Sequence, residues 1–299
     1  QKKYKDKEAV RKFNYTFTNG VYGLLGENGA GKTTLMRLIC GVLQPTGGSI
    51  YCDNIEIASM GAEYRRLLGY LPQDFGYYGD FTAERFLRYM AALKALPEDY
   101  ADSRIDELLD MVELKNVKKK KLKTFSGGMI RRIGIAQALL NNPEILILDE
   151  PMNGLDPIGI YEMREYLVNL CKEGNTTVFI SSHILSEIEQ IADVIGVMNH
   201  GRLLEEESIT DLHKRLRRYA EYEVSNVEYV FSLLKERLDV SEILIDSKNR
   251  IRLSGKDMHR IEEINSYLIQ NNIPIRQIRI EEEKLEDYFS ELIGGGEIG

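Results

Sequence analysis

An α/β core with a largely parallel sheet, followed by a smaller α+β domain, is the fold class this sequence predicts. Three observations carry it. The glycine loop Gly26-Glu27-Asn28-Gly29-Ala30-Gly31-Lys32-Thr33-Thr34 lies between the apolar run Val21–Leu25 and the helical pattern Leu35–Ile39. The short runs Ile145–Leu148 and Thr177–Ile180 alternate with helical stretches, as strands buried on both faces do. After about residue 204 the composition changes, and strand-like and helix-like stretches follow in the order β-α-β-β-α-β.

The elements follow in chain order. The glycine loop fits G-x-x-x-x-G-K-[ST], whose glycines let backbone N–H groups close around phosphate oxygens while the next helix points its positive end at the anion. Asn28, Gly29, Ala30, Gly31, Lys32, Thr33 and Thr34 are therefore candidate nucleotide-binding residues, with Lys32 reaching the β- and γ-phosphates and the Thr33 hydroxyl holding Mg²⁺. Residues 80–140 keep helical periodicity almost throughout and read as a helical insertion. Within it, Lys118-Lys119-Lys120-Lys121 reads as a solvated loop.

Ile145–Leu148 ends in Asp149-Glu150. Beside a phosphate loop, Asp149 is placed for the Mg²⁺ shell, and Glu150 for polarising an attacking water. Ile158–Lys172 reads as a helix, with Pro157 near its first turn and Gly174 just past its end. Gly201–Leu204 closes the core, and Glu205–Arg218 reads as a charged helical connection. Beyond it come a strand at Tyr219–Val224, a helix at Val227–Leu238, and strands at Val240–Ile245 and Arg250–Leu253 around the turn Asp246-Ser247-Lys248-Asn249. A helix at Met258–Gln270, a strand at Ile273–Ile280 and an amphipathic helix at Glu282–Leu292 follow, before a flexible Gly294-Gly295-Gly296. The domains expected are 1–203, with a helical part at about 80–140, a connection at 204–218 and an accessory domain at 219–299.

Composition narrows the function classes. The 299 residues, 43% hydrophobic and 29% charged, suit a globular protein of about two domains. A net charge of −8 gives no reason to expect a nucleic-acid partner. Cys40, Cys52 and Cys171 are odd in number and far apart, and read as reduced thiols of a cytosolic setting. No window approaches the roughly 18 apolar residues of a membrane span, and no signal peptide is visible. The chain starts at Gln1 rather than methionine, so a trimmed or processed terminus is expected.

A phosphate loop alone leaves kinases, GTPases, helicases and transport ATPases open. Thr124-Phe125-Ser126-Gly127-Gly128-Met129 ahead of a helix bearing Arg131 and Arg132 narrows the field, since a Ser hydroxyl and two glycine N–H groups at a helix N-terminus form a second anion site. With the phosphate loop, this segment resembles the signature motif of the ATP-binding cassette (ABC) family, whose usual form is L-S-G-G-Q. Phe125 and Met129 depart from that form. The resemblance identifies Gln73 in Tyr70-Leu71-Pro72-Gln73 with the Q-loop glutamine, Asn153-Gly154-Leu155-Asp156-Pro157 with the D-loop, and His183 in Ser181-Ser182-His183 with the switch histidine. Tyr4 stands near where the family places an aromatic against adenine.

The resemblance covers about residues 1–203 and implies a P-loop NTPase core of ABC type with a helical subdomain, here joined to a ferredoxin-like C-terminal domain. It implies ATP and Mg²⁺ as ligands, with the metal held by Thr33, Gln73 and Asp149. Glu150, His183 and Gln73 would be catalytic, and Ser126-Gly127-Gly128 would close on the nucleotide of a second nucleotide-binding domain, in a homo- or heterodimer. It also implies a separate transmembrane permease, with the ATPase on the cytoplasmic face of a bacterial membrane. The C-terminal length and the wording of residues 153–160 look like drug and peptide exporters of the lantibiotic-immunity and bacitracin-resistance groups. Two rivals stand beside this reading: an ABC-family ATPase acting in DNA repair, translation or cluster assembly, and a phosphotransferase using ATP as donor.

Overall fold

Val21–Leu25 is buried at all five positions, as a strand flanked on both edges and covered on both faces must be. In the computed structural model it lies inside a six-stranded sheet ordered Arg202–Ser208, Val194–Asn199, Val21–Leu25, Thr177–Ser182, Ile145–Asp149, Leu68–Leu71. Every pairing is parallel except that of Arg202–Ser208, which runs antiparallel to its neighbour at one edge. The structure describes residues 1–5, 7–174, 176–246 and 248–294, and the chain divides into the units Gln1–Thr210 and Asp211–Gly299.

Register in this sheet decides where the chemistry goes. Leu25 pairs with Ser182 and Asp149 with Ser181, so the C-terminal ends of three adjacent strands lie together. The glycine loop, the Asp149-Glu150 pair and His183 all leave the sheet at that edge, where open parallel sheets bind their ligands. The helix expected over 158–172 runs Pro157–Gly174, with proline at the first position, where its missing N–H costs nothing.

The 80–140 region is helical. Ala83–Leu93 is capped by Thr82, whose hydroxyl accepts from Arg85 N–H at 3.2 Å, and it buries Phe86, Leu87 and Ala91. Glu98–Met111 starts directly after Pro97 and buries Ala101, Ile105, Leu108 and Leu109. Each large apolar side chain so buried stabilises by about 1.5–3 kcal/mol. Gly127–Ala138 then follows, capped by Ser126. The lysine run packs its charges onto acidic neighbours: Lys118 lies 2.6 Å from Asp106, and Lys121 lies 3.4 Å from Asp80.

One stretch corrects the sequence reading. Glu205–Ser208 is strand, not helix; only Ile209–Arg215 is helical. Glu205, Glu206, Glu207 and Ser208 pair with Val197, Gly196, Ile195 and Val194, beyond a register shift between Leu203 and Glu205. An edge strand tolerates acidic side chains because one of its sides is unpaired, and that polarity hid the strand signal.

In the second unit a four-stranded antiparallel sheet is ordered Ile243–Ile245, Ile251–Ser254, Arg218–Val224, Ile275–Glu282. Ala220, Tyr222 and Val224 share one core with Val230 and Leu234 of the helix Val227–Arg237 and with Ile264 and Leu268 of the helix Ile261–Gln270. The stretch read as one helix from Met258 divides into a 3-10 turn, Gly255–Arg260, and the helix proper. The last helix is Leu285–Gly294, and Gly295 and Gly296 lie outside the described residues, as does Ser247 in the turn before Ile251–Ser254.

Candidate functional site

The strand Val21–Leu25 delivers the chain into a loop whose backbone only glycine accepts easily. Gly29 and Gly31 have φ of +88° and +109°, and a Cβ at Gly31 would also collide with the Ala9 carbonyl oxygen. Lys32–Ile39 begins at Gly31 with no side chain capping it. Its first-turn N–H groups and positive end therefore remain available to an anion. Ala30 is buried and fixed by its N–H to Glu27 O at 3.1 Å, while its carbonyl accepts from Gly201 N–H at 2.8 Å. Asn28 and Gly29 lie exposed at the tip of the loop. Lys32 is buried; its Nζ donates to Gly26 O at 2.5 Å and Glu27 O at 3.3 Å and lies 3.5 Å from Glu150 Oε1.

The two carboxylates are both buried and differently held. Asp149 Oδ1 accepts from the Ser181 hydroxyl at 2.6 Å, while its Oδ2 is buried and has no hydrogen-bond partner. An unpaired buried carboxylate oxygen costs several kcal/mol in an ordinary core, so it marks a place reserved for a donor or a cation. Glu150 sits at φ +54°, a left-handed conformation costing a non-glycine residue roughly 1–2 kcal/mol. Its N–H donates to Ser181 Oγ at 3.0 Å. Its carboxylate meets Lys32 on one oxygen and, on the other, His183 Nδ1 at 2.8 Å and Asn153 Nδ2 at 3.4 Å. The strained backbone turns Glu150 back over the phosphate loop instead of away along the strand axis.

Gln73 joins this group: the Thr33 hydroxyl donates to its Oε1 at 3.5 Å. Thr33, Gln73 and the orphaned oxygen of Asp149 offer a hydroxyl, an amide oxygen and a carboxylate, the hard oxygen donors that Mg²⁺ prefers. Thr34 is half-buried in the helix's first turn. The structure thus brings together Lys32, Thr33, Gln73, Asp149, Glu150 and His183.

Two predicted elements stand apart. Ser126 accepts from Met129 N–H at 3.3 Å and caps Gly127–Ala138, and Gly128 is packed so close to Gly154 O that an added Cβ would lie 2.6 Å from it. Among the described residues, no hydrogen bond or ion pair links this turn to the phosphate loop. Gly127 instead lines an open cavity of about 540 Å³ with Gln73, Arg131, Asn153 and Gly154. Tyr4, in the hairpin of Lys2–Tyr4 and Lys7–Val10, is 45% exposed, with Lys2 Nζ 5.3 Å from its ring centre.

Sequence reasoning placed Asn153 in the D-loop match and Ser181 in the segment of His183 but gave neither a role of its own, yet each contacts a carboxylate of the pair. Ser181 lies two residues before His183 and Asn153 three after Glu150. Among the described residues, no helix is long and apolar enough to cross a membrane.

A glycine phosphate loop, a buried lysine and an acidic pair at the edge of a parallel sheet, with an inserted helical region, define an ATP-binding cassette. Residues 10–153 match the ABC transporter family model. Over its whole length the chain is 41% identical to the bacitracin transport ATP-binding protein BcrA of Bacillus licheniformis, covering 96% of that relative. It is 39% identical to the lantibiotic transport ATP-binding protein SrtF of Streptococcus pyogenes, over 68% of this chain and 86% of that one. A solved dimeric ATP-binding cassette in a post-hydrolysis state, bound to ADP and Pi, superposes with a TM-score of 0.62 at 27% identity, over 67% of this chain and 90% of that one. The chain belongs to the ABC transporter family, as an ATP-binding and ATP-hydrolysing subunit.

Proposed function

We propose that this subunit powers an export-type transporter for a peptide antibiotic from the cytoplasmic face of the membrane, partnered by a separate permease. The names of the relatives, transport ATP-binding proteins for bacitracin and for a lantibiotic, support both the cargo class and the permease partner. One observation carries the catalytic part: the Glu150 carboxylate, buried and turned over the phosphate loop, is held between Lys32 and His183.

Each side chain then has a task. The first-turn N–H groups and Lys32 bind the β- and γ-phosphates, with Asn28 to Gly31 and Thr34 completing the cradle. Thr33, Gln73 and Asp149 would hold Mg²⁺, which neutralises phosphate charge when bound. Glu150 accepts a proton from the attacking water, and His183, hydrogen-bonded to it, orients the carboxylate and faces the γ-phosphate. Lys32 exchanges Glu150 for phosphate as nucleotide enters, freeing the carboxylate for water. Tyr4 stacks on adenine.

The Ser126-Gly127-Gly128 turn has no role toward its own chain's phosphate loop and is itself a helix N-terminus suited to phosphate. It serves a second copy or a homologous partner, whose phosphate loop receives it in turn, a pairing supported by the dimeric state of the similar cassette. Closure then depends on the γ-phosphate, and hydrolysis releases it.

Glu150→Gln tests the assignment. Phosphate release should fall by about 10²–10⁴-fold, the range for losing a general base, with ATP affinity kept within a few-fold. A variant releasing phosphate at the parental rate removes Glu150 from this role.

A further inference from the structure

Arg131 lies in the second turn of Gly127–Ala138, is 6% exposed, and has no carboxylate partner within ion-pair distance among the described residues. Its guanidinium instead donates to five main-chain carbonyls. Nη1 reaches Pro72 O and Gln73 O, both at 3.1 Å; Nη2 reaches Asp149 O and Glu150 O; Nε reaches Pro151 O at 3.4 Å. Buried arginines ordinarily pair with carboxylates, because neutral carbonyls leave the charge uncompensated. Here desolvation lowers the guanidinium's pKa, and the nearby Asp149, Glu150 and Asp74 charges oppose that shift.

The carbonyls come from two segments that meet at the candidate site. Gln73 presents its amide oxygen to Thr33, and Glu150 adopts the left-handed backbone that aims its carboxylate at Lys32 and His183. A planar fork with five donors can hold both backbones at once; an ammonium on a flexible stem cannot. The same side chain grows from the helix that begins at Ser126. One cation therefore joins the signature turn, the Gln73 segment and the main chain of Glu150.

We propose that Arg131 is a positioning residue for hydrolysis: it holds the strained Glu150 backbone and ties the aim of that carboxylate to the signature helix. Engagement of the Ser126 turn by a partner's nucleotide would thereby reach Glu150 in the same chain. The inference rests on the reading of Glu150 as general base.

The test uses the full chain with MgATP, comparing Arg131→Lys and Arg131→Gln in the parental and Glu150→Gln backgrounds, with thermal unfolding as a check on folding. In the parental background both variants should lose about 10–100-fold in kcat, the scale of an ångström-sized misplacement, while KM and ATP affinity stay within about threefold. In the Glu150→Gln background the same substitutions should cost residual hydrolysis less than about threefold, because the group they aim is already gone. Three results overturn the proposal: an unchanged parental kcat, an equal loss in both backgrounds, or variants that do not fold, which would make Arg131 a brace of the core. Parental turnover in Glu150→Gln alone would instead sink the general-base reading, a separately visible outcome.

Discussion

The two units of this chain treat buried charge in opposite ways. In the first, Asp149 keeps an oxygen with no partner, Glu150 occupies a left-handed backbone, and Lys32 makes do with two loop carbonyls and a carboxylate 3.5 Å away. In the second, the buried charges among the described residues are answered. Glu221 takes Arg250 and, at 3.2 Å, Arg252. Asp246 takes Arg250 at 3.0 Å and the N–H groups of Lys248 and Arg250 at 2.9 Å. Asp257 accepts from Ser241 N–H and Glu242 N–H at 3.0 Å, from the Ser241 hydroxyl and from Arg260. Among the described residues, each buried side-chain polar atom without a partner lies in the first unit. At the candidate site an unpartnered carboxylate oxygen on Asp149 adjoins the left-handed backbone of Glu150, where a charged ligand and a reaction are expected, while the satisfied network of the second unit holds a shape. Substitutions in the first unit should accordingly alter turnover more than stability, and those in the second the reverse.

The largest contrast is expected at Lys32. Lys32→Ala removes the buried cation proposed to meet the phosphates, and turnover should drop below detection in a phosphate-release assay; a variant retaining a tenth of parental activity contradicts the phosphate-loop assignment. Ser181→Ala comes next. It removes the hydroxyl that donates to Asp149 and accepts from Glu150 N–H, so hydrolysis should fall about tenfold or more, with roughly 1–3 kcal/mol of stability lost to the buried groups left unpaired. A loss of stability with turnover untouched would break the comparison, because Ser181 would then belong with the purely structural charges.

Asp257→Ala should reverse the pattern. Stripping the acceptor from two backbone N–H groups and Arg260 should cost the second unit about 1–3 kcal/mol in urea unfolding, with ATP hydrolysis per folded molecule unchanged. A pH dependence accompanies it. Burial works to raise the Asp257 pKa, but the hydrogen bonds from Glu242, Ser241 and Arg260 outweigh it and hold the carboxyl below its usual 3.8. A depressed folded pKa gives stability that is complete above the unfolded value and is lost as pH falls through the folded one. The gap between parent and Asp257→Asn should therefore be constant near neutrality and narrow as pH drops below about 4. A gap that widens with acid would reverse the assigned sign.

What the sequence disclosed follows the same division. The phosphate loop was legible because its function lies in a contiguous backbone shape that glycine spacing encodes. Asp149 and Glu150 were legible because they stand at and just past the end of a buried strand behind a phosphate loop, and His183 through its resemblance to the switch histidine; parallel register brings these strand ends together. Ser181, Asn153 and Arg131 had no such signal: their partners lie 18 residues or more away, or around a left-handed backbone that no local pattern records. The edge strand Arg202–Ser208 was half missed because its run of glutamates reads as a solvated helix until the neighbouring strand is known.

The account stands or falls on nucleotide shared between two cassettes, and sedimentation of the ATP-loaded Glu150→Gln protein measures that directly. It should sediment at twice the 34.3 kDa of one chain, or at the mass of a one-to-one pair if the partner is a homologue, and Ser126→Arg or Gly128→Asp should return it to single chains. A species that stays single with ATP bound, alone and with its permease and partner cassette, or a pair indifferent to Ser126 and Gly128, would contradict it.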